Sequence, residues 1–129
     1  MSTTVPTYTG NTAGNVRASS SLGAAGTANY DVDYSAKFEG QIHIKNTPGT
    51  TAATRGLKVE FFRNYGSAPT KGQTAFYTVT LPSLTNGVAE SQDVFLGPGK
   101  YNITITNLDT SNAVTVEITG DTVSSTTTT

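Results

Sequence analysis

From about Tyr34 onward, apolar and polar residues alternate, the period-two pattern of strands that bury one face and wet the other. In the run 36–45, Phe38, Gly40, Ile42 and Ile44 share one face, while Lys37, Glu39, Gln41, His43 and Lys45 share the opposite one. Leu57, Val59 and Phe61 repeat the pattern, with Lys58 and Glu60 outward. Ala75, Tyr77, Val79 and Leu81 form a third set, Tyr101, Ile103 and Ile105 a fourth, and Val114, Val116 and Ile118 a fifth. A shorter run, Asp93 to Leu96, falls between the third and fourth. The joints carry turn chemistry: Asn46-Thr-Pro48-Gly49, Asn64-Tyr-Gly66, Asn86-Gly87, Gly97-Pro98-Gly99 and Asp109-Thr-Ser-Asn112. Glycine and asparagine accept positive φ and proline presets its own, so each is a point of reversal. No stretch has helical spacing between caps. Six such strands, with one or two more between Val16 and Tyr34, predict an all-β fold. The expected architecture is an antiparallel β-sandwich, immunoglobulin-like or jelly-roll, with an extended N-terminal arm.

The first 33 residues have a different texture. Between Ser2 and Ala28 the sizeable apolar side chains are Val5, Tyr8, Val16 and Leu22. Ordering one residue's backbone costs about 1–2 kcal/mol, and burying one large apolar side chain returns about 1.5–3 kcal/mol. Four anchors do not hold a segment of that length, so it is either disordered or ordered by something outside its own fold; it lacks the high charge of a solvating tail, which favours a partner. The pattern divides the chain into a Ser/Thr/Gly/Ala-rich arm (1–33), a sandwich domain (34–123) and a Ser/Thr tail (124–129).

Composition narrows the chemistry. Charged residues are 13% of the chain, about half the usual share. Eight Lys+Arg against nine Asp+Glu leave a net charge of −1. No basic cluster marks a nucleic-acid surface or a membrane anchor. Without Cys there is no disulfide, zinc ribbon or thiol nucleophile. No apolar run nears the roughly 18 residues of a spanning helix. The opening Met1-Ser-Thr-Thr-Val5-Pro6 has neither the basic nor the apolar region of a secretory signal. The 25 threonines take the place of charge: they are β-branched and suit strands, and their hydroxyls keep a face wet. Such a face is also easier to desolvate against another protein than one of Lys and Glu.

Candidate sites are few. His43, the one histidine, falls on a polar strand face and reads as solvated, with no nucleophile elbow to accompany it. Asp31 and Asp33 share a face opposite Tyr30, Val32 and Tyr34, and no ligand-rich loop follows to complete a calcium site. Asn102-Ile-Thr104 fits the glycosylation triplet but sits within a strand. The sequence therefore offers no catalytic, cofactor-binding or metal-ligating set. Three aromatics are out of phase: Phe62 sits with Lys58 and Glu60, Phe76 with Thr74, Thr78 and Thr80, and Phe95 opposes Val94 and Leu96. Large apolar groups on a polar face mark contact surfaces; a phase-shifting bulge or a covering segment is the other account. With the apolar residues of the arm, the expected partner contacts are Val5, Tyr8, Val16, Leu22, Phe62, Phe76 and Phe95.

Two resemblances follow from these residues. Phe95-Leu-Gly-Pro-Gly-Lys-Tyr101-Asn-Ile-Thr-Ile105 resembles the Pro-Gly-x-Tyr entry to a late strand in immunoglobulin-like sandwiches, which bears on fold alone. The opening Met1-Ser-Thr-Thr-Val-Pro-Thr-Tyr-Thr-Gly-Asn11, the arm and the Thr-rich sandwich without Cys resemble small structural proteins of tailed-bacteriophage virions. That resemblance implies a non-enzymatic capsid decoration (cement) protein on the virion surface, made in the host cytoplasm without a signal peptide. It would bind the major capsid protein and copies of itself, with no cofactor, nucleic acid or membrane. The alternative is a carbohydrate- or receptor-binding sandwich from a tail fibre or a cell surface. Its platform would be Tyr8, Tyr30, Tyr34 and Tyr65, since Trp is absent.

Overall fold

Two antiparallel sheets pack into a β-sandwich in the computed structural model, which describes residues 3–9, 15–35, 39–49, 55–65, 70–71, 74–85 and 87–128. The strands are β1 (Thr3–Thr9), β2 (Asn15–Leu22), β3 (Thr27–Asp33), β4 (Glu39–Pro48), β5 (Leu57–Tyr65), β6 (Thr70–Lys71), β7 (Tyr77–Leu81), β8 (Glu90–Leu96), β9 (Lys100–Asn107) and β10 (Val114–Thr128). In the first sheet β10 is flanked on one side by β4 and then β8. Its other side takes β2 along residues 114–119 and β1 along 122–128. In the second sheet β3, β9 and β5 follow in order, and the far side of β5 takes β7 at 57–61 and β6 at 64–65. The principal strands thus run β2-β10-β4-β8 in one sheet and β3-β9-β5-β7 in the other. Successive principal strands switch sheets at every step but one, from β5 to β7. That winding is a jelly roll. It decides between the two topologies that strand pattern alone leaves open.

The core is the set of inward positions that alternation marks. Ile42 and Ile44 of β4, Leu57, Val59 and Phe61 of β5, Ile103 and Ile105 of β9, and Val116 and Ile118 of β10 are wholly buried. Branched side chains dominate because they pack well on a pleated surface. Tyr34, just past β3, lays its buried ring across the inner faces of β4 and β10, where Gly40 and Gly120 leave room for it. The β2–β10 register slips between Val116 and Ile118. Arg17 covers the slip: its Nε donates to the Val116 carbonyl at 3.2 Å, and Nη2 donates to the carbonyls of Ser20 and Ser21. Its Nη1 donates to the Tyr30 hydroxyl, which ties β2 in one sheet to β3 in the other.

Several expectations shift on meeting the structure. Asn46-Thr-Pro48 is not a turn; β4 continues to Pro48, which pairs with Val114. Asn64 and Tyr65 likewise stay in β5, opposite β6. Gly87 (φ 72°) and Gly99 (φ 148°) do supply the positive φ their turns require. The one or two strands expected between Val16 and Tyr34 are β2 and β3, and residues 3–9 add β1 against 122–128. The extended N-terminal segment finds its backbone partners in β9 and β10 of its own chain. Phe38 lies outside the described residues.

Candidate functional site

The edge strands β7 and β8 belong to different sheets, and an open groove of about 420 Å³ runs between them. Alternation on β8 sends Val94 and Leu96 inward and leaves Asp93 and Phe95 facing out. Just ahead of β7, the Phe76 amide donates to the Phe61 carbonyl at 2.9 Å, which fixes that residue beside the sheet end. The groove is lined by Phe76, Tyr77, Asp93, Val94, Phe95 and Leu96. Its aromatic rings are open: Phe95 is 62% exposed, Phe76 45% and Tyr77 43%. Two of them are braced from behind. Tyr77 is tilted on Phe61 at 5.9 Å between centroids, and Phe76 on Tyr101 at 5.7 Å.

Beside the groove, the outer face of the first sheet holds a hydrogen-bonded row across β8, β4 and β10. Register sets His43 opposite Asp93 and Thr119, and Gln41 opposite Phe95 and Asp121. His43 Nδ1 lies 2.6 Å from Asp93 Oδ1, and Nε2 lies 3.0 Å from Asp121 Oδ2. A neutral imidazole donates from one nitrogen, whereas the imidazolium donates from both. The hydrogen bond to Asp93 raises the His43 pKa above 6.5; burial opposes this, and Asp121 adds to the rise. Asp121 in turn helps to hold the buried Tyr34 phenol above its ordinary value, after burial itself. A pKa raised on folding means that the cluster stabilises the fold fully below about 6.5, and that this is lost as pH climbs through the folded value. The single histidine gives one imidazole signal in an NMR titration. Its midpoint is expected above 6.5 and should fall in Asp93→Asn; an unshifted midpoint would show that the row does not persist in solution.

The structure separates the seven expected contact residues. Phe76 and Phe95 come together in the groove. Leu22 belongs to the core and Val16 packs against it. Phe62 is buried although it faces outward, and Val5 and Tyr8 lie in β1, where the backbone alone is described. Of the tyrosines expected to form a platform, Tyr34 is buried and Tyr30 packs on the core with its hydroxyl on Arg17, so neither offers an open face. Tyr77, which was not among them, is the tyrosine that lines the groove. His43, read from sequence as solvated, is clamped between two carboxylates that lie 50 and 78 residues away, with no local signal to announce them.

The outer face of the second sheet carries a polar network. Asp31 Oδ1 accepts from Asn64 Nδ2 at 3.0 Å and from Asn102 Nδ2 at 2.9 Å, while the Thr104 hydroxyl, with one proton to donate, lies 2.7 Å from the Oδ1 atoms of both Asn29 and Asn102. Asn102, the asparagine of the glycosylation triplet, is buried in that network. Asp33 accepts from the Ser35 amide and hydroxyl, which lowers its pKa.

No family model and no curated protein matches the sequence. Solved structures do share the fold. A CBM4 module superposes with a TM-score of 0.53 at 12% identity, over 77% of this chain and 66% of that one. The CBM22-1–GH10 modules of the Clostridium thermocellum xylanase Xyn10B, complexed with xylohexaose, match at 0.53 and 12% identity, over 92% of this chain and 24% of that one. The enzymatically active domain of bacteriophage CBA120 tailspike protein 4 matches at 0.50 and 8% identity, over 92% and 19%. This chain thus spans about two thirds of the first structure's length and a quarter or less of the other two.

Proposed function

We propose that this chain is a non-catalytic carbohydrate-binding module that holds a saccharide along the groove between β7 and β8. One observation carries the reading: Phe76, Tyr77 and Phe95 keep open faces on a groove that also presents the Asp93 carboxylate. Pyranose rings offer C–H faces that pack on aromatic rings, and hydroxyls that bond to carboxylates and amides. Two of the sandwiches sharing this fold include CBM modules, one in a structure with xylohexaose, which supports a saccharide as the occupant. Hydrolysis of a glycoside uses two carboxylates that flank the scissile bond. Here the imidazole of His43 fills the space between Asp93 and Asp121. Affinity electrophoresis against a panel of plant and bacterial polysaccharides tests the proposal. At least one should retard the chain, and Phe95→Ala should weaken that binding about tenfold while leaving the fold intact. Retention by none of them, or retention unchanged in Phe95→Ala and Phe76→Ala, would sink it.

A second reading, a virion structural protein, is favoured by the paired ends of the chain. Among the described residues, 124–128 have β1 as their partner, beyond the point where β4 pairing stops at Val123. A two-stranded ribbon is marginal in water without support, and a neighbouring subunit would give it. On that reading no glycan retards the protein, and it instead sediments with capsids in a manner that removal of residues 124–129 abolishes.

A further inference from the structure

We infer that the saccharide taken by the groove is acidic, a uronate-type sugar whose carboxylate is held by Arg63. This rests on the groove being the saccharide site. Arg63 follows Phe61 on the inward side of β5, but lies where the core ends, opposite Tyr101, and is exposed. Its guanidinium carbon lies 5.3 Å from the centroid of Phe76, a groove-lining ring, and 5.6 Å from that of Tyr101. Stacking against rings fixes the plane of a guanidinium and leaves its N–H edges for a ligand.

Among the described residues no carboxylate pairs with those edges: the ion pairs join His43 to Asp93 and Asp121, and Lys58 to Glu60. Arg17 makes the contrast, since its guanidinium is spent on three carbonyls and a hydroxyl. Lys100, next to Tyr101 on β9, adds an exposed cation at the same end of the sheet, across from Asp33. The acid in the groove, Asp93, is already bonded by the imidazole of His43, which offsets its repulsion of an anion. A planar fork beside an open aromatic ring matches a sugar that stacks by its ring and carries a planar carboxylate. A neutral sugar leaves that fork in water.

The test compares polygalacturonate with its methyl-esterified form, which keeps the backbone and removes the charge, and with neutral xylan, using the full chain. Polygalacturonate should bind about tenfold tighter than the ester at low ionic strength, the worth of one charge-assisted pair. Raising the salt should shrink the difference. Arg63→Gln should erase it, weakening polygalacturonate binding about tenfold more than ester binding, and Arg63→Lys should restore part of it. A preference equal in wild type and Arg63→Gln, or no preference at all, overturns the inference while leaving the groove a saccharide site, provided Phe95→Ala still weakens binding. A preference for sulfated over carboxylated polymer also overturns it. Binding to none of the polymers overturns both readings.

Discussion

Asn107→Leu is expected to lower the stability of the fold by about 3–5 kcal/mol, because it strands several buried polar groups at once. Asn107 ends β9 with 1% exposure. Its Nδ2 donates to the carbonyls of Leu22 (3.3 Å), Gly23 (3.1 Å) and Asn112 (2.8 Å), and its Oδ1 accepts from the Asp109 amide (3.0 Å). The side chain therefore ties the β2–β3 turn to the β9–β10 loop. Backbone bonds follow the same seam: Ala25 N–H to Asp109 C=O and Asn107 N–H to Gly26 C=O. Ala25 takes φ 55° there, a conformation an L-residue holds only when its surroundings fix it. Asp109 closes the loop by accepting from the amides of Ser111 and Asn112. Leucine matches the volume but offers neither donor nor acceptor. Chemical denaturation reads the loss as a lower midpoint. Ser111→Ala, which leaves every one of these bonds in place, should stay within about 0.5 kcal/mol of wild type. If the two variants unfold alike, the seam is not what holds this end of the sandwich.

The alternation of apolar residues was enough to place the core, and it failed where backbone pairing decides the outcome. The inward sets of β4, β5, β9 and β10 could be read directly, since period two assigns each side chain to a face. The N-terminal segment was legible only in part: strands were expected between Val16 and Tyr34, whereas β1 was not, because its order comes from a ladder to β10 rather than from its own few apolar groups. A count of side chains against chain entropy omits those hydrogen bonds. The Pro-Gly-x-Tyr segment illustrates a different limit. Tyr101 does send its hydroxyl back to the Gly97 carbonyl at 2.8 Å, so the corner is real. It is a local device, and it sits here in a jelly roll. Local motifs report a bend, whereas topology is set by which distant strands pair.

The same division applies to the groove. Phe76 and Phe95 were visible in sequence as large apolar residues against the polar phase of their runs. Their meeting was not, since it depends on β7 and β8 coming from separate sheets to lie side by side. Exposed aromatics on two edge strands are a hazard for aggregation unless something covers or uses them. Arg63 gave no sequence signal of its own. It continues the inward phase of Leu57, Val59 and Phe61, and becomes a surface group because the core stops one step earlier.

Gly40→Ala should destabilise the fold by about 1–3 kcal/mol, and the loss should largely vanish in a Tyr34→Ala background. A Cβ on Gly40 would stand 2.3 Å from both Cδ2 and Cε2 of Tyr34, and one on Gly120 would stand 2.9 Å from its hydroxyl. Gly40 pairs with Leu96 and Thr122, and Gly120 with Ile42, so the two glycines are diagonal neighbours that form a trough for one ring. The ring has little freedom to retreat. It is 6% exposed, and its backbone amide is held by the Gly99 carbonyl at 2.7 Å. Tyr34→Ala by itself should cost about 3–5 kcal/mol, as for other large buried aromatics cut to alanine. It leaves a void over the trough, and the added methyl of Gly40→Ala then enters empty space instead of a ring. The double variant should therefore be less destabilised than the sum of the singles by roughly the cost of Gly40→Ala alone. Gly97→Ala, where a Cβ meets nothing within 4 Å, supplies the neutral reference. Additive losses in the cycle would mean that the β4 glycine answers to something other than the tyrosine lying on it.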